Sequence, residues 1–265
     1  MSLGRPRVHL RRTGSTNERA RELAFAGAPH GTLVTAAEQT AGRGRHGRRW
    51  SAPPARALLM SLVMRDAPPL LPLAAAVAVC DVVGPQAQIK WPNDIVVELS
   101  AAERGLAKLA GILIEGRPYP QGHTLWGAGR QEGWAVLGIG LNVAVRLDQL
   151  PPELRPGATE RAGASAGLPA ATLGLEGSDV EPILGRVLQT LERRLSEPAQ
   201  STLEAWRARD ALRGREIVWG AVDSDAQLGR GRAEGIDGTG RLLVALAGGG
   251  RTTIAAGEVH LQGLG

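Results

Sequence analysis

Lysine is almost absent from this chain of 265 residues. Of its 31 basic side chains only Lys90 and Lys108 are lysine, and the other 29 are arginine. A bias toward Arg, Ala, Gly and Leu has replaced lysine nearly everywhere, which directs attention to the two that remain. A compact, titratable ammonium can do what a planar guanidinium cannot. Cysteine is as scarce: the single Cys80 excludes an internal disulfide and any short disulfide scaffold. Long apolar runs are missing too. The longest, Leu70 to Cys80, is interrupted by Pro72 and falls well short of the roughly 20 residues that span a bilayer, so no membrane anchor is expected. The start, MSLGRPRVHLRR, has no apolar stretch of the signal-peptide kind, and the cytoplasm is the expected location. Aromatics are few at 3%, but 43% hydrophobic and 22% charged residues are ordinary for a folded protein and exclude global disorder. The length suits one large domain, or one plus a small one, at roughly 100 to 200 residues per domain. A net charge of +5 favours polyanions weakly; one nucleotide or an acidic protein would satisfy it as well as DNA.

Ser15-Thr16-Asn17-Glu18 has the spacing of a capping box, with Ser15 capping a helix that runs to about Ala26 and is closed by Gly27. A β-like stretch follows from Gly31 to Ala37. Leu58 to Met64 reads as a buried strand and Leu71 to Val83 as an Ala-rich helix stopped by Gly84-Pro85. Strands are then expected at Gln88 to Trp91, Ile95 to Leu99, Leu106 to Glu115 and Trp134 to Val143. From Arg146 to Ser178 the composition shifts to Pro, Gly, Ala and Thr, which reads as a long mobile loop with one short helix, of the kind used as a lid. Val180, Ile183, Leu184, Val187, Leu188, Leu191 and Leu195 share one face of an amphipathic helix, and Ser201 to Leu212 makes another. After Gly214, short alternating segments (Arg215 to Trp219, Gln227 to Ile236, Arg241 to Leu246, Arg251 to Ala255) between Asp-Gly and Gly-Gly turns predict a separate small barrel.

Four segments could carry chemistry. Gly42-x-Gly44-x-x-Gly47 fits a dinucleotide fingerprint by pattern, but that motif needs a helix opening at its third glycine, and here two arginines, a tryptophan and two prolines follow. What remains is a glycine backbone presenting Arg43, Arg45, Arg48 and Arg49, suited to bidentate capture of phosphate or carboxylate. A solvated basic loop or an RNA-binding Arg-Gly segment would look the same. Lys90-Trp91-Pro92-Asn93-Asp94 is rare by composition, yet alone it could be a plain hairpin turn. Lys108 opens the otherwise apolar stretch to Glu115, where a desolvated ammonium is costly unless an anion pairs it. That points to a ligand carboxylate or phosphate; the plain alternative is a strand-end lysine snorkelling to water. Gly138-Ile139-Gly140-Leu141-Asn142 lets a ligand approach a strand, with Asn142 as a two-way hydrogen-bonding group.

In this order the motifs resemble the biotin protein ligases. The matching elements are Ser15-Thr16-Asn17, the stretch from Gln39 through Gly42-Arg43-Gly44-Arg45 to Trp50, Lys90 to Asp94, Lys108 to Leu113, and Gly140-Leu141-Asn142. Gly214 to Val218 and Gly235 to Gly240 look like that family's small terminal barrel. The resemblance implies an α/β (α+β) fold, with a mixed central sheet flanked by helices like that of class II aminoacyl-tRNA synthetases, over residues 1–212. A small SH3-like β-barrel is implied for 213–265. It also implies a reaction: biotin is activated with ATP to biotinyl-5'-AMP, then passed to a lysine of the biotin carboxyl carrier protein of acetyl-CoA carboxylase, with Mg2+ accompanying ATP.

Under that resemblance Ser15, Thr16, Asn17 and Gln39 meet the neutral ureido ring of biotin, with Gly44 and Gly111 also in the biotin site. Arg43 and Arg45, assisted by Arg48, hold the carboxylate, the phosphates and the adenylate. Lys108 contacts the biotin carboxyl. Trp50, Lys90, Asn93 and Asn142 belong to the nucleotide end, and Asp94, steadied by Asn93, orients or deprotonates the incoming lysine. No His/Asp/Glu spacing defines a metal cage, so magnesium should be held mostly by phosphate oxygens and water.

Some members carry an N-terminal helix-turn-helix; here Ser15 lies too near the start for one, so a monofunctional enzyme that does not bind DNA is expected. Ser100 to Gly105 reads as a harmless extension at a hairpin tip. Part of 146–178 is expected to close over the adenylate. A homodimer is compatible with the sequence, which does not locate an interface. The rivals are lipoate or octanoate transfer on a related fold, which lacks the Arg-rich motif in this form, and nucleic-acid binding, which explains neither Lys108 nor Lys90 to Asp94.

Overall fold

The structure is a computed structural model that describes residues 2–65, 67–99, 105–117, 133–155, 168–220, 229–255 and 257–261. Seven strands form the central sheet: β1 (Arg7–Leu10), β2 (Leu33–Ala36), β3 (Ala57–Arg65), β4 (Gln88–Lys90), β5 (Asp94–Glu98), β6 (Leu106–Arg117) and β7 (Trp134–Asn142). Their order is β1-β2-β3-β7-β6-β5-β4. Only β1 and β2 run parallel; the other neighbours are antiparallel. The sheet is therefore mixed, as expected. Edge strand β1 was not anticipated, because Arg7-Val8-His9-Leu10 is half exposed and shows no apolar run. Its parallel partner is reached through a crossover helix, α1 (Thr16–Phe25).

Alternation along the strands divides the sheet into two faces. Leu33, Leu58, Met60, Leu62, Leu137 and Ile139 face one large core with the helices α2 (Leu71–Val83) and α3 (Val180–Ser196). Val34, Val63 and Val136, one residue out of phase, meet Ala20 and Ala24 of α1 on the other face. Helix α2 is buried nearly all round, which is why its sequence is apolar without a polar face. Each fully buried aliphatic side chain there contributes about 1.5–3 kcal/mol. It ends at Gly84, whose φ of 117° lies in the left-handed region and favours glycine. The amphipathic α3 buries Ile183, Leu184, Val187 and Leu191, as its periodicity predicts.

The capping box is a correction. Ser15 occupies the N-cap position but makes no side-chain cap bond. The Thr16 amide instead donates to Gln39 Oε1 at 2.7 Å, so a residue 23 positions away satisfies the first turn. The last helix, α4 (Ala199–Arg207), starts earlier and stops sooner than expected. Past its end the chain turns to pair with β4, where Ile89 N–H donates to Arg209 O and Ala211 N–H donates to Ile89 O.

The segment after Arg146 is also more ordered than its composition suggests. It holds single-turn helices at Leu147–Gln149 and Pro152–Leu154. Residues 168–175 lie against β6 and β7 through bonds that join Lys108 with Pro169 and Ala171, and Leu173 with Asn142. Backbone groups unsatisfied in the sequence-local pattern are thus met by strand ends. The middle of the expected lid, 156–167, and most of the expected hairpin extension, 100–104, lie outside the described residues.

The C-terminal strands β8 (Glu216–Gly220), β9 (Gly229–Ile236), β10 (Leu242–Leu246), β11 (Arg251–Ile254) and β12 (Glu258–Leu261) form an antiparallel sheet ordered β11-β10-β9-β8-β12. Among the described residues no pairing of β11 with β12 closes it into a barrel. Strand β12 was not anticipated, and the start of the strand expected from Gln227 lies outside the described residues. This sheet is not a detached unit. Ile217, Ile236, Leu242, Val244 and Val259 belong to the same continuous core as α2 and Trp206 of α4.

Candidate active site

On the α1 face the sheet register lines up small residues. Gly111 of β6 sits opposite Gly140 of β7, which is opposite Leu59 of β3; Leu113, Gly138 and Ser61 form the next row. Missing side chains at Gly111, Gly138 and Gly140 leave a floor onto which other groups can descend. Trp50 occupies one such place: a Cβ on Gly140 would lie 2.6 Å from its Cε2. Asn17 occupies the other, where a Cβ on Gly138 would collide with its Oδ1. Above this floor lies a cleft of about 600 Å³.

A β-bulge brings the lysine in. Val96 pairs with Lys108 and Ile95 with Ala110, so Leu109 is the extra residue. The phase of β6 therefore switches, and Lys108 and Gly111 share the cleft face although three residues apart. A Cβ on Gly111 would stand 3.2 Å from both Lys108 Cε and Trp50 Cζ3, and Lys108 Nζ lies 5.7 Å from the Trp50 ring centre. The anion that the sequence demanded for this lysine is internal in the structure: Lys108 Nζ is 2.7 Å from Asp94 Oδ1.

The Lys90 to Asp94 segment is both a hairpin turn and a wall of the cleft. Lys90 pairs with Asp94 across the β4–β5 turn. Asn93, expected to steady Asp94, has its side-chain hydrogen bonds elsewhere. Its Nδ2 donates to Ile112 O at 2.8 Å, and its Oδ1 accepts from Arg45 Nη1 at 3.3 Å, so it ties the turn to β6 and to the arginine loop. Lys90 lines the cleft, and its Nζ donates to Val259 O of β12 at 2.6 Å. Trp91 Nε1 likewise donates to Gly240 O. The second sheet therefore reaches the cleft, through Gly257, Val259, His260 and Leu261.

At the other end Ser15, Thr16, Asn17 and Gln39 line the cleft together. Ser15, Thr16 and Asn17 are all buried. Fully buried Ser61 bonds Asn17 Oδ1 at 2.6 Å and Thr16 Oγ1 at 2.9 Å. Asn17 Nδ2 donates to Glu115 Oε2 at 2.9 Å. Ser61 and Glu115 were not singled out by sequence. Ser61 is one polar residue inside an apolar strand, a signal that could have found it. Glu115 closes the Lys108 stretch, and nothing local marks its partners.

The Gly42 to Trp50 loop folds back on itself, with Gly44 N–H donating to Arg48 O and Trp50 N–H to Gly42 O. Only a single helical turn forms, at Arg45–Gly47, so the dinucleotide reading fails here too. Arg43 Nη2 is 3.4 Å from Glu115 Oε1, and Arg49 Nη2 donates to Thr40 O at 2.9 Å. Among the described residues Arg43, Arg45, Arg48, Arg49, Lys90 and Lys108 line the cleft against one carboxylate, Asp94. Such an excess of cations with low-dielectric walls concentrates polyanions. Asn142 is 5% exposed; its Nδ2 donates to Ala171 O, and among the described residues its Oδ1 has no partner. Trp50 Nε1 is likewise buried and unsatisfied. Among the described residues no group of three His, Cys, Asp or Glu could hold a metal ion.

A site with a neutral polar end, a central lysine and a cationic loop is that of an enzyme handling an acid and a nucleotide. Residues 9–126 match the biotin/lipoate A/B protein ligase family, and residues 221–261 match the biotin protein ligase C-terminal domain. The biotin acetyl-CoA-carboxylase ligase of Mycobacterium tuberculosis is 35% identical over 94% of this chain and 87% of its own length. The ligase of that name from Paracoccus denitrificans is 33% identical over 96% of this chain and 100% of its own. The chain belongs to the biotin protein ligase family. Its fold is similar to that of the biotin protein ligase from Aquifex aeolicus solved with biotin and ATP. That likeness has a TM-score of 0.68 at 21% identity and covers 97% of this chain and 99% of the other. No helix among the described residues is long and apolar enough to cross a membrane.

Proposed function

We propose that this protein joins biotin to ATP, releasing pyrophosphate, and then transfers the biotinyl group to a lysine of a biotin carboxyl carrier protein with release of AMP. The observation that carries this reading is the cleft itself. One cavity joins a neutral donor and acceptor set (Ser15, Thr16, Asn17, Gln39) to Lys108 and the arginine loop.

In the first step a carboxylate oxygen bonds to the α-phosphorus as the bond to pyrophosphate breaks. Two anions must meet, so preorganised cations supply most of the stabilisation. Lys108 receives the carboxylate, because an ammonium has three donors and can keep Asp94 while binding a second oxygen. Arg43, Arg45 and Arg48 take the phosphates, where planar forks suit phosphate geometry. Trp50 and Asn142 belong to the base: Asn142 gives one N–H to Ala171 O, and its buried Oδ1, without a partner among the described residues, fits an amino group such as that of adenine.

In the second step the carrier amine attacks the acyl carbon, a proton leaves the nitrogen, and AMP departs. Asp94 is the one carboxylate that lines the cleft among the described residues, and it accepts that proton or orients the amine. Asp94 is held by Lys108, and among the described residues no His, Cys, Asp or Glu cluster forms a metal cage. Mg2+ would enter bound to ATP and would neutralise phosphate charge. On this reading residues 1–212 carry the chemistry, and 213–265 form an SH3-like unit that walls the cleft through β12. The single buried Cys80 suits the cytoplasm.

The test is biotin-dependent exchange of labelled pyrophosphate into ATP by the purified chain. Exchange with biotin and none with lipoate is expected. Exchange with lipoate alone would overturn the assignment.

A further inference from the structure

We infer that Glu115 is a positioning residue that sets the hydrogen-bond polarity of the neutral end of the cleft and ties that end to the arginine loop. The inference rests on the biotin reading above. It begins with the geometry of one carboxylate. Glu115 lies behind the cleft wall with 19% of its side chain exposed. Its Oε2 accepts from Asn17 Nδ2 at 2.9 Å, while its Oε1 is 3.4 Å from Arg43 Nη2 and 3.8 Å from Arg21 Nη1. One group therefore holds a residue of each subsite.

The consequence for Asn17 is that its amide cannot turn over. A carboxylate only accepts, so it fixes the NH2 end, and the carbonyl end is left facing Ser61 Oγ at 2.6 Å. Ser61 has one proton for two acceptors, Asn17 Oδ1 and Thr16 Oγ1. With the Asn17 carbonyl in front of it, Ser61 gives that proton to Asn17. Thr16 Oγ1 passes its own proton to Gln39 Oε1 at 3.0 Å and keeps its lone pairs open. Gln39 Oε1, also bonded by the Thr16 amide, is fully engaged, and Gln39 retains only donors for the cleft. The end of the cleft thus offers an acceptor on Thr16 beside donors on Gln39. That is the complement of a ring with N–H groups flanking a carbonyl, the ureido head of biotin.

Without the Glu115 charge, only the long bond from Asn17 Nδ2 to Leu113 O, at 3.5 Å, still favours this orientation, and Asn17 can present its NH2 to Ser61. Ser61 then sends its proton to Thr16 Oγ1, and the acceptor needed by a ligand N–H is consumed. Glutamine cannot replace Glu115 in both tasks. If its carbonyl meets Asn17, its NH2 confronts the Arg43 guanidinium; if it turns over, two NH2 groups face each other.

The experiment is calorimetric titration of biotin alone into the full-length wild type, Glu115→Gln, Ser61→Ala, Asn17→Ala and the Glu115→Gln/Asn17→Ala double variant, with folding checked by thermal melts. Glu115→Gln should weaken biotin binding about tenfold, the scale of one charge-assisted hydrogen bond. Its kcat at saturating biotin should stay within about twofold of wild type, since uniform binding is what is lost. Ser61→Ala, which leaves no proton to close Thr16 Oγ1, should by contrast bind biotin within about threefold of wild type; a tenfold loss there overturns the relay even if Glu115→Gln does not fold. In the double variant the Glu115 change should add little to Asn17→Ala, because it acts through Asn17. Wild-type affinity in Glu115→Gln, or full additivity with Asn17→Ala, overturns the inference while leaving the proposed function intact. A wild type that binds no biotin overturns the proposed function, and the inference with it.

Discussion

Lys108 Nζ lies 2.7 Å from Asp94 Oδ1, an ion pair that joins neighbouring strands β6 and β5 at the centre of the cleft. Both side chains are largely shielded, at 29% and 15% exposed. A desolvated pair of this kind leaves a buried uncompensated charge when one partner is removed. The pair is also crowded, because Lys108 Cε and the Trp50 ring both close on the bare face of Gly111. A slender stem with a small charged tip fits this slot; a guanidinium does not. Of the two lysines that the chain retains, this one has a steric reason.

Lys108→Arg should therefore keep the charge and lose the first step. A guanidinium would have to displace Trp50 or engage Asp94 through both oxygens, leaving no aligned donor for the incoming carboxylate. We expect pyrophosphate exchange to fall on the order of 100-fold in a variant that still melts cooperatively, a loss typical of removing one oriented charge stabiliser. Wild-type exchange in this variant would remove the shape argument. Asp94→Asn separates the steps. Exchange should remain within about tenfold of wild type, while transfer to the carrier falls by about 10²- to 10⁴-fold, the usual contribution of a general base. Equal losses in both steps would mean that Asp94 acts only by holding Lys108.

Much of this was legible in the sequence, and the rest was not for identifiable reasons. Helix α2 announced both of its ends, since Leu71 to Val83 is bounded by prolines and a glycine. The cleft residues were legible because each sits in a local string of unusual composition. What could not be read was the pairing between strings. Asn93 was assigned to its neighbour Asp94, but its partners are Ile112 and Arg45, brought in by the sheet register and the loop. Lys90 was given to the nucleotide alone, whereas its Nζ donates to a carbonyl of β12, 169 residues away. Glu115 was invisible for the same reason, since Asn17 and Arg43 reach it across the sheet. Ser15 misled because the same four-residue spacing serves a capping box and, here, a cleft wall where the first turn is capped by Gln39.

The glycine floor gives a pair of opposite predictions. A methyl at position 138 would displace Asn17, and one at position 140 would displace Trp50. Overpacking of this kind costs about 1–3 kcal/mol, or about 5- to 150-fold in the affected constant. Gly138→Ala should raise KM for biotin and leave KM for ATP nearly unchanged. Gly140→Ala should do the reverse. Steady-state kinetics with each substrate varied in turn decides this; a common effect of both variants on both constants would show that the two ends are not independent.

Cys80 lies fully buried in α2, and burial pushes its thiol pKa up to about 12, outweighing the nearby Arg209 charge that lowers it. Only the thiolate is nucleophilic. The native protein should therefore resist alkylation by iodoacetamide at mildly alkaline pH, and labelling should follow the unfolding curve in urea. Rapid labelling of the folded protein would show that α2 opens locally.

Asp210 offers a pH test of how the chain closes onto β4. Its carboxyl pKa is raised, first by burial, against the opposing effects of the Leu212 and Arg213 amides and the Arg213 charge. Its Oδ1 accepts from Leu212 N–H at 2.9 Å, while Oδ2 is buried without a partner. A raised folded-state pKa means that the folded protein holds this proton more tightly than the unfolded chain. The stability it contributes is present in full below the unfolded carboxyl pKa and is lost as pH rises through the folded one. Asp210→Asn keeps an acceptor for Leu212 and abolishes the titration. The stability of wild type relative to this variant, measured by urea unfolding across the acidic range, should therefore decline as pH rises and level off near neutrality. A difference that is flat with pH would mean that the carboxyl reaches solvent, and one that grows with pH would mean that the Arg213 charge outweighs its burial.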